Sequence, residues 1–307
     1  MRKALPLILP ALLFCIARPV PPVPTVRIET TVLPLRDFAA AIAGERGEAA
    51  VLLPPGAGVH TWQPRPSDIL RLDSADLLIA VGAGLEPWLP GLLGSVPKGR
   101  LRVLEVSPGL PLLKAEDEDA HESAGETHAH GPSDPHIWLD FGLDLVIADR
   151  IADALAALDP AGAATYRSNV TALKERLRGL DARFAAGLKG CASRRLVVAG
   201  HAAFGYLARR YGLVQTALYG QSPDAQPRPQ QMIQVVELCR KEGIRTVFFE
   251  NSVPPDLART LAAEIGGRVA VLYAGHNLTR DQVRRGVGFF DLMEEDLKSL
   301  RGGLGCR

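Results

Sequence analysis

Seven histidines carry most of the reactive potential of this chain. Three of them, His121, His128 and His130, lie in a strongly acidic stretch. The other four, His60, His136, His201 and His276, are scattered through the remainder. Imidazole nitrogen suits divalent transition metals, and zinc in particular takes four donors in a tetrahedron at about 2.0–2.1 Å. No cysteine pair has C-x-x-C spacing, which argues against a thiolate site. No H-E-x-x-H segment is present either, so the familiar helical hydrolase site is not written here. The chemistry these residues can do is capture of a metal by neutral imidazoles, provided the fold brings them together.

The elements that must do so alternate. Val26–Leu33, Ala49–Leu53, Asp76–Val81 and Leu101–Val106 read as strands, with helices over Asp37–Glu45, Pro66–Leu72 and Glu86–Leu93 between them. Asp140–Leu158 reads as a helix. After Asp159-Pro160, the apolar positions Tyr166, Val170, Leu173, Leu177, Leu180 and Phe184 recur every three or four residues, predicting one long helix over Ala161–Leu188. At about 1.5 Å per residue it is roughly 40 Å long, enough to run along two lobes. The alternation then resumes. Strands are expected over Arg195–Ala199, Gln215–Tyr219, Thr246–Glu250 and Arg268–Tyr273. Helices are expected over Ala203–Tyr211, Arg228–Glu242, Pro255–Ile265 and Gly286–Leu300. Short apolar strands separated by helices imply parallel sheets covered on both faces. The expected fold is α/β, with two similar lobes, each a parallel β-sheet flanked by helices, joined by one long rigid helix.

In such sheets ligands bind beyond the carboxyl ends of the strands. His60, His201 and His276 each follow an expected strand, and His136 follows the acidic loop that leaves the fourth one. A single histidine there is more often a surface or satisfied core residue, but four of four at strand exits point to one site. Around His136, in Asp134-Pro135-His136-Ile137-Trp138-Leu139-Asp140, a carboxylate could orient the ring. Asp140 reads equally well as the cap of the next helix. Residues 114–135 are nearly devoid of apolar side chains and read as a mobile loop. Its histidines among Glu116, Asp117, Glu118, Asp119, Glu122 and Glu126 suit weak, exchangeable scavenging of divalent metal. An internal echo supports two lobes of similar design: Gln63-Pro64-Arg65-Pro66 recurs as Gln226-Pro227-Arg228-Pro229, each opening a helix.

Composition bounds the rest. With 307 residues the chain is long enough for two domains. Thirty-five basic residues against thirty-four acidic ones exclude a basic nucleic-acid footprint, and an aromatic content of 6% provides no stacking platform. Arg2 and Lys3, the apolar run Leu5–Ala17 and the prolines at 19, 21, 22 and 24 follow the order of an export signal, predicting a periplasmic or extracytoplasmic protein. Cys15 could take a lipid anchor, but the bulky Phe14 before it argues for plain cleavage near Ala17. Cys191, Cys239 and Cys306 remain, allowing one disulfide whose pairing stays open. The expected units are 1–24 (signal and Pro-rich start), 25–158 (first lobe), 159–190 (linking helix) and 191–307 (second lobe).

Three segments resemble the cluster A-I family, the zinc- and manganese-binding solute-binding proteins of ABC importers. They are Val59–Asp68 with His60, Asp134–Asp140 with His136, and Val198–Leu213 with His201. The resemblance implies that His60, His136 and His201 are metal ligands and that the partner is the membrane permease of an ABC importer. It also favours Zn²⁺ over Mn²⁺, because manganese-type members usually carry a glutamate at the third position. The fourth position departs from the family, which often has an aspartate after the last strand. Here Val271-Leu272-Tyr273-Ala274-Gly275-His276 stands instead, so His276 is taken as the fourth ligand, with Glu250 or a water as alternatives. The expected activity is capture and delivery by a monomer, not catalysis. The rivals are a zinc-dependent hydrolase with an open metal site and a metal-binding surface adhesin on the same fold.

Overall fold

The computed structural model describes residues 25–115, 133–220, 228–251 and 254–307. The export signal at 1–24 with Cys15, the acidic loop with His121, His128 and His130, and Gln226-Pro227 of the echo lie outside the described residues.

The first lobe runs β1 (Val26–Thr30), α1 (Leu33–Ala43), β2 (Gly47–Val51), α2 (Pro66–Ser74), β3 (Leu77–Ala80), α3 (Leu89–Ser95) and β4 (Arg102–Glu105). Helices α4 (Phe141–Leu158) and α5 (Ala163–Gly187) follow. The second lobe runs β5 (Arg195–Val198), α6 (Gly205–Tyr211), β6 (Val214–Ala217), α7 (Pro229–Glu242), β7 (Thr246–Glu250), α8 (Asp256–Glu264) and β8 (Arg268–Leu272), then α9 (Arg280–Arg284) and α10 (Phe289–Gly303). Each lobe holds a four-stranded sheet, ordered β2-β1-β3-β4 and β6-β5-β7-β8, with every pairing parallel. The two orders are the same, so each strand and the loop after it has a counterpart in the other lobe. Every carboxyl end in a sheet points the same way, and the chain switches sides between β1 and β3, and again between β5 and β7.

Beside shifts of a few residues at other element ends, three differences from the sequence reading stand out. The first strand ends at Thr30 and α1 starts at Leu33, because Pro34 fits the first turn of a helix, where no amide donor is needed. Glu86 does not open α3. Its buried carboxylate instead accepts the amides of Val81 and Gly82 at 2.8 and 3.0 Å. Helix α9 went unread because it is one short turn-and-a-half, closed by Thr279, whose hydroxyl accepts from Gln282 N. It is too short to show a period.

The 25 residues of α5 span about 37 Å and pack on α1 and α4 on one side and α10 on the other. Tyr166, Leu177, Leu180 and Phe184 on its inner stripe are fully buried. One apolar core continues from β1 of the first lobe through α5 to α10 of the second, and a smaller core fills the outer face of the second sheet. Asp37 on α1 reaches across to accept the Phe289 amide at the start of α10 at 2.6 Å. This shared core ties the lobes together and leaves little room for a wide hinge swing. No helix among the described residues is long and apolar enough to cross a membrane.

Asp144 in the first turn of α4 is fully buried, and its carboxylate oxygens have no hydrogen-bond partner among the described residues. Burial, aided by the charge of Asp140, pushes its pKa well above the ordinary carboxylate range. The native state therefore holds a proton that the unfolded chain has released, and stability falls as pH rises above about 4. Asp144→Asn keeps the shape without the charge cost. It should melt several degrees higher than wild type at pH 7, and scans at lower pH should show the gap closing towards pH 4.

Candidate metal centre

His60, His136 and His201 reach one point from three directions. Each offers a ring nitrogen, and these nitrogens all lie within 4.8 Å of one another, all three residues being buried. The ring centroids are 5.2–5.7 Å apart. His136 Nε2 and His201 Nε2 stand 3.4 Å apart. Two nitrogens on one tetrahedral zinc at about 2.05 Å would be separated by about 3.3–3.4 Å, so this pair already has the edge of the tetrahedron.

Each ring is set by its own segment. His60 rides on the loop from β2 to α2, where Trp88 Nε1 donates to the carbonyl of the preceding Val59 at 2.7 Å and Trp62 packs edge-on against Trp88. Proline and glycine make the loop, and its end is closed where the Arg65 amide donates to the Asp68 carboxylate at 2.7 Å. His136 precedes a short 3-10 turn, Ile137–Leu139. Asp134 Oδ1 accepts its backbone amide at 2.9 Å and contacts its Nδ1 at 2.8 Å. That bond puts the proton on Nδ1 and turns the Nε2 lone pair to the centre. Of the two roles left open for Asp140, the structure selects the cap: its Oδ1 accepts the Gly142 amide at 2.9 Å, and Arg210 closes on it at 2.7 Å.

His201 follows β5, and Glu250 ends β7 beside it, at the point where the second sheet changes sides. Glu250 Oε2 is 3.0 Å from His201 Nδ1, which again aims Nε2 at the centre. Burial works to lower the pKa of His201, but the adjacent Glu250 charge outweighs it and the value is raised above 6.5. His276, after β8, is not part of the tight trio. It comes in on the far side of Glu250, with Nδ1 3.6 Å from Oε1, and is 7% exposed. Burial, with the neighbouring His201 and His136, pulls its value down to about 4, so it is neutral at physiological pH. Gly275, at φ +75°, makes the turn into His276 with Phe289 and Met293 packed against it, a conformation L residues rarely adopt. Tyr273, just after the last strand, donates its amide to Asp296 at 2.9 Å.

The sequence reading did not foresee that Glu250 lies between two histidines, nor how firmly the first lobe holds the His276 segment. Leu33 N donates to His276 O, Gly56 N to Leu278 O, and Trp138 Nε1 to Ala274 O, at 3.0, 2.9 and 2.7 Å. The signal for Glu250 was a glutamate ending a buried strand. The backbone bonds left none.

The carboxylates behind the rings make a prediction. Glu250→Gln and Asp134→Asn each remove a charge that orients and enriches an imidazole, and each should weaken zinc binding by about 10–100-fold. Calorimetry against a competing chelator measures this, and unchanged circular dichroism would confirm that the fold persists.

Known proteins resemble this chain in sequence and fold. A family model described as ZnuA, zinc-uptake complex component A, periplasmic, matches residues 28–303. The zinc-binding lipoprotein AdcA of Streptococcus pneumoniae is 32% identical over 275 residues, covering 89% of this chain and 55% of AdcA, so the chain spans about half the length of that relative. The high-affinity zinc uptake system protein ZnuA of Bacillus subtilis is 29% identical over 282 residues, covering 90% of this chain and 87% of its own. The Zn(II)-bound ZnuA-like domain of S. pneumoniae AdcA superposes with a TM-score of 0.75 at 29% identity, over 91% of this chain and 99% of the domain. With two parallel four-stranded sheets, three imidazoles meeting between them and a family match over nearly the whole described length, this chain belongs to the family of ZnuA, the periplasmic component A of zinc-uptake complexes.

Proposed function

We propose that this chain is an extracytoplasmic solute-binding protein that captures zinc between its lobes and delivers it to the membrane permease of an ABC importer. The zinc would be held by His60 and His136 from the first lobe and by His201 and His276 from the second. The observation that carries this reading is the meeting of three buried imidazoles from both lobes within 4.8 Å. The zinc-binding names of the relatives support it.

In this scheme zinc is cargo. Asp134 and Glu250 stand directly behind two of the rings and offset the charge of the ion without touching it. That arrangement suits zinc better than manganese, a harder ion that prefers oxygen donors. A fourth protein nitrogen closes the shell and leaves no position for a reactive water, so the reading is transport rather than hydrolysis. The shared core beneath the lobes limits closure to a small adjustment, so release depends on the partner loosening the site rather than on a wide spontaneous opening.

X-ray absorption at the zinc edge, on protein loaded to one ion per chain, tests the assignment. Four nitrogen donors at about 2.0–2.1 Å are expected. Three nitrogens and one oxygen would replace His276 by Glu250 or water, and failure to bind one zinc per chain would remove the function itself.

A further inference from the structure

The repeated Gln-Pro-Arg-Pro segment has no part in the metal centre, yet the structure places its two arginines, Arg65 and Arg228, at matching positions. Each precedes the helix that follows an edge strand: α2 after β2, and α7 after β6. Arg65 and Arg228 sit just outside these helices in extended conformation. The Arg65 amide donates to the Asp68 carboxylate at 2.7 Å, and the Arg228 amide to Gln231 Oε1 at 2.8 Å, the same closure in both lobes. Both arginines are exposed, and neither guanidinium has an ion-pair partner among the described residues. Five positions after each arginine a large aliphatic side chain faces solvent, Leu70 at 70% exposure and Ile233 at 50%. Three large apolar side chains are at least 50% exposed among the described residues, and two of them occupy this one equivalent register.

An exposed arginine at the start of a helix and an exposed aliphatic one and a half turns on, built twice at the carboxyl-end side of two like sheets, are not explained by folding. We propose that Arg65 with Leu70, and Arg228 with Ile233, form a paired docking surface for the importer's permease. This rests on the transport reading above. Two equal devices related by the likeness of the lobes require a receiver with two equal sites, which a two-fold permease dimer supplies. Each half of it would present a carboxylate to the arginine and an apolar depression to the aliphatic tip, complementary in charge and in wetting to what each lobe offers. The device in the first lobe begins five residues after His60. Engagement there pulls on the loop that holds a zinc donor, which couples docking to release.

The test is zinc uptake into vesicles carrying the reconstituted permease–ATPase complex, driven by limiting zinc-loaded full-length protein. Arg65→Glu and Arg228→Glu should each reduce uptake at least tenfold while zinc affinity by calorimetry stays at the wild-type value. The caps survive, because the backbone amide and not the side chain makes them. Leu70→Ser with Ile233→Ser should give the same loss, whereas Val103→Ser with Val146→Ser, at exposed positions elsewhere, should give none. If an Arg65→Glu chain fails to bind zinc, Arg65→Ala reports the same contact without charge reversal. Uptake within twofold of wild type in both arginine variants overturns the docking surface and leaves the transport reading standing, as does a loss confined to one lobe. No uptake with zinc-loaded wild type overturns both.

Discussion

His201→Ala lowers zinc affinity by a few hundredfold in competition calorimetry. Closed four-donor zinc sites bind with about 10–16 kcal/mol, so one donor among four accounts for roughly 3–4 kcal/mol. His201 is the donor to remove first. It makes the 3.4 Å edge with His136 and carries the 3.0 Å Glu250 contact, so its loss also removes the nearer imidazole from a buried carboxylate. The same residue sets the pH response of the wild type. A proton on His201 competes with the ion, and Glu250 raises the pH at which that proton binds above 6.5. Affinity should therefore begin to fall on acidification while an ordinary histidine would still be neutral. His276, pulled down to about 4, stays a free donor through that range. In His201→Ala the early part of the fall should be missing. A variant that binds zinc as tightly as wild type would mean that the trio is not the site.

Loss of the disulfide is the second large effect. Of the pairings the three cysteines allow, the structure selects Cys191–Cys306 and leaves Cys239 free in the core. The bridge ties the chain just before β5 to its last turn and closes a loop with a sequence separation of 115. Constraining so long a loop in the unfolded chain is worth about 5 kcal/mol in the loop-entropy model. Cys191→Ser, or reduction, should lower the melting temperature by about 10 °C, since each kcal/mol moves a domain of this size by about 2–4 °C. The bond sits at the outer end of the second lobe, away from the histidines. Zinc affinity at 25 °C should hold while the thermal margin shrinks, and a melting curve with a parallel titration separates the two. Equal melting temperatures for oxidised and reduced protein would show that the bridge contributes nothing.

Legibility followed the range of the interactions. Strand β7 was read to the residue because Thr246–Glu250 is a short apolar run between polar breaks, and α5 to within two residues because its stripe repeats over 25 residues. Period and punctuation are local, and the chain states them directly. The start of α1 was misjudged by four residues, since Pro34 and Leu35 look extended until the turn at Thr31–Val32 is known. Glu86 was taken into a helix because nothing nearby announces that its carboxylate serves the amides of Val81 and Gly82.

What the amino-acid order determined alone was the alternating α/β plan, the long connecting helix and the placing of His60, His136, His201 and His276 after strands. These follow from hydrophobic period and from the polarity of parallel sheets. The tertiary structure alone decided which rings meet, that Glu250 stands between His201 and His276, that Asp134 rather than Asp140 orients His136, and which cysteines pair. Apart from the local Asp134–His136 contact, each of those depends on two segments far apart in sequence arriving within a few ångströms of each other. Only the packing of the two lobes around a shared core sets such distances.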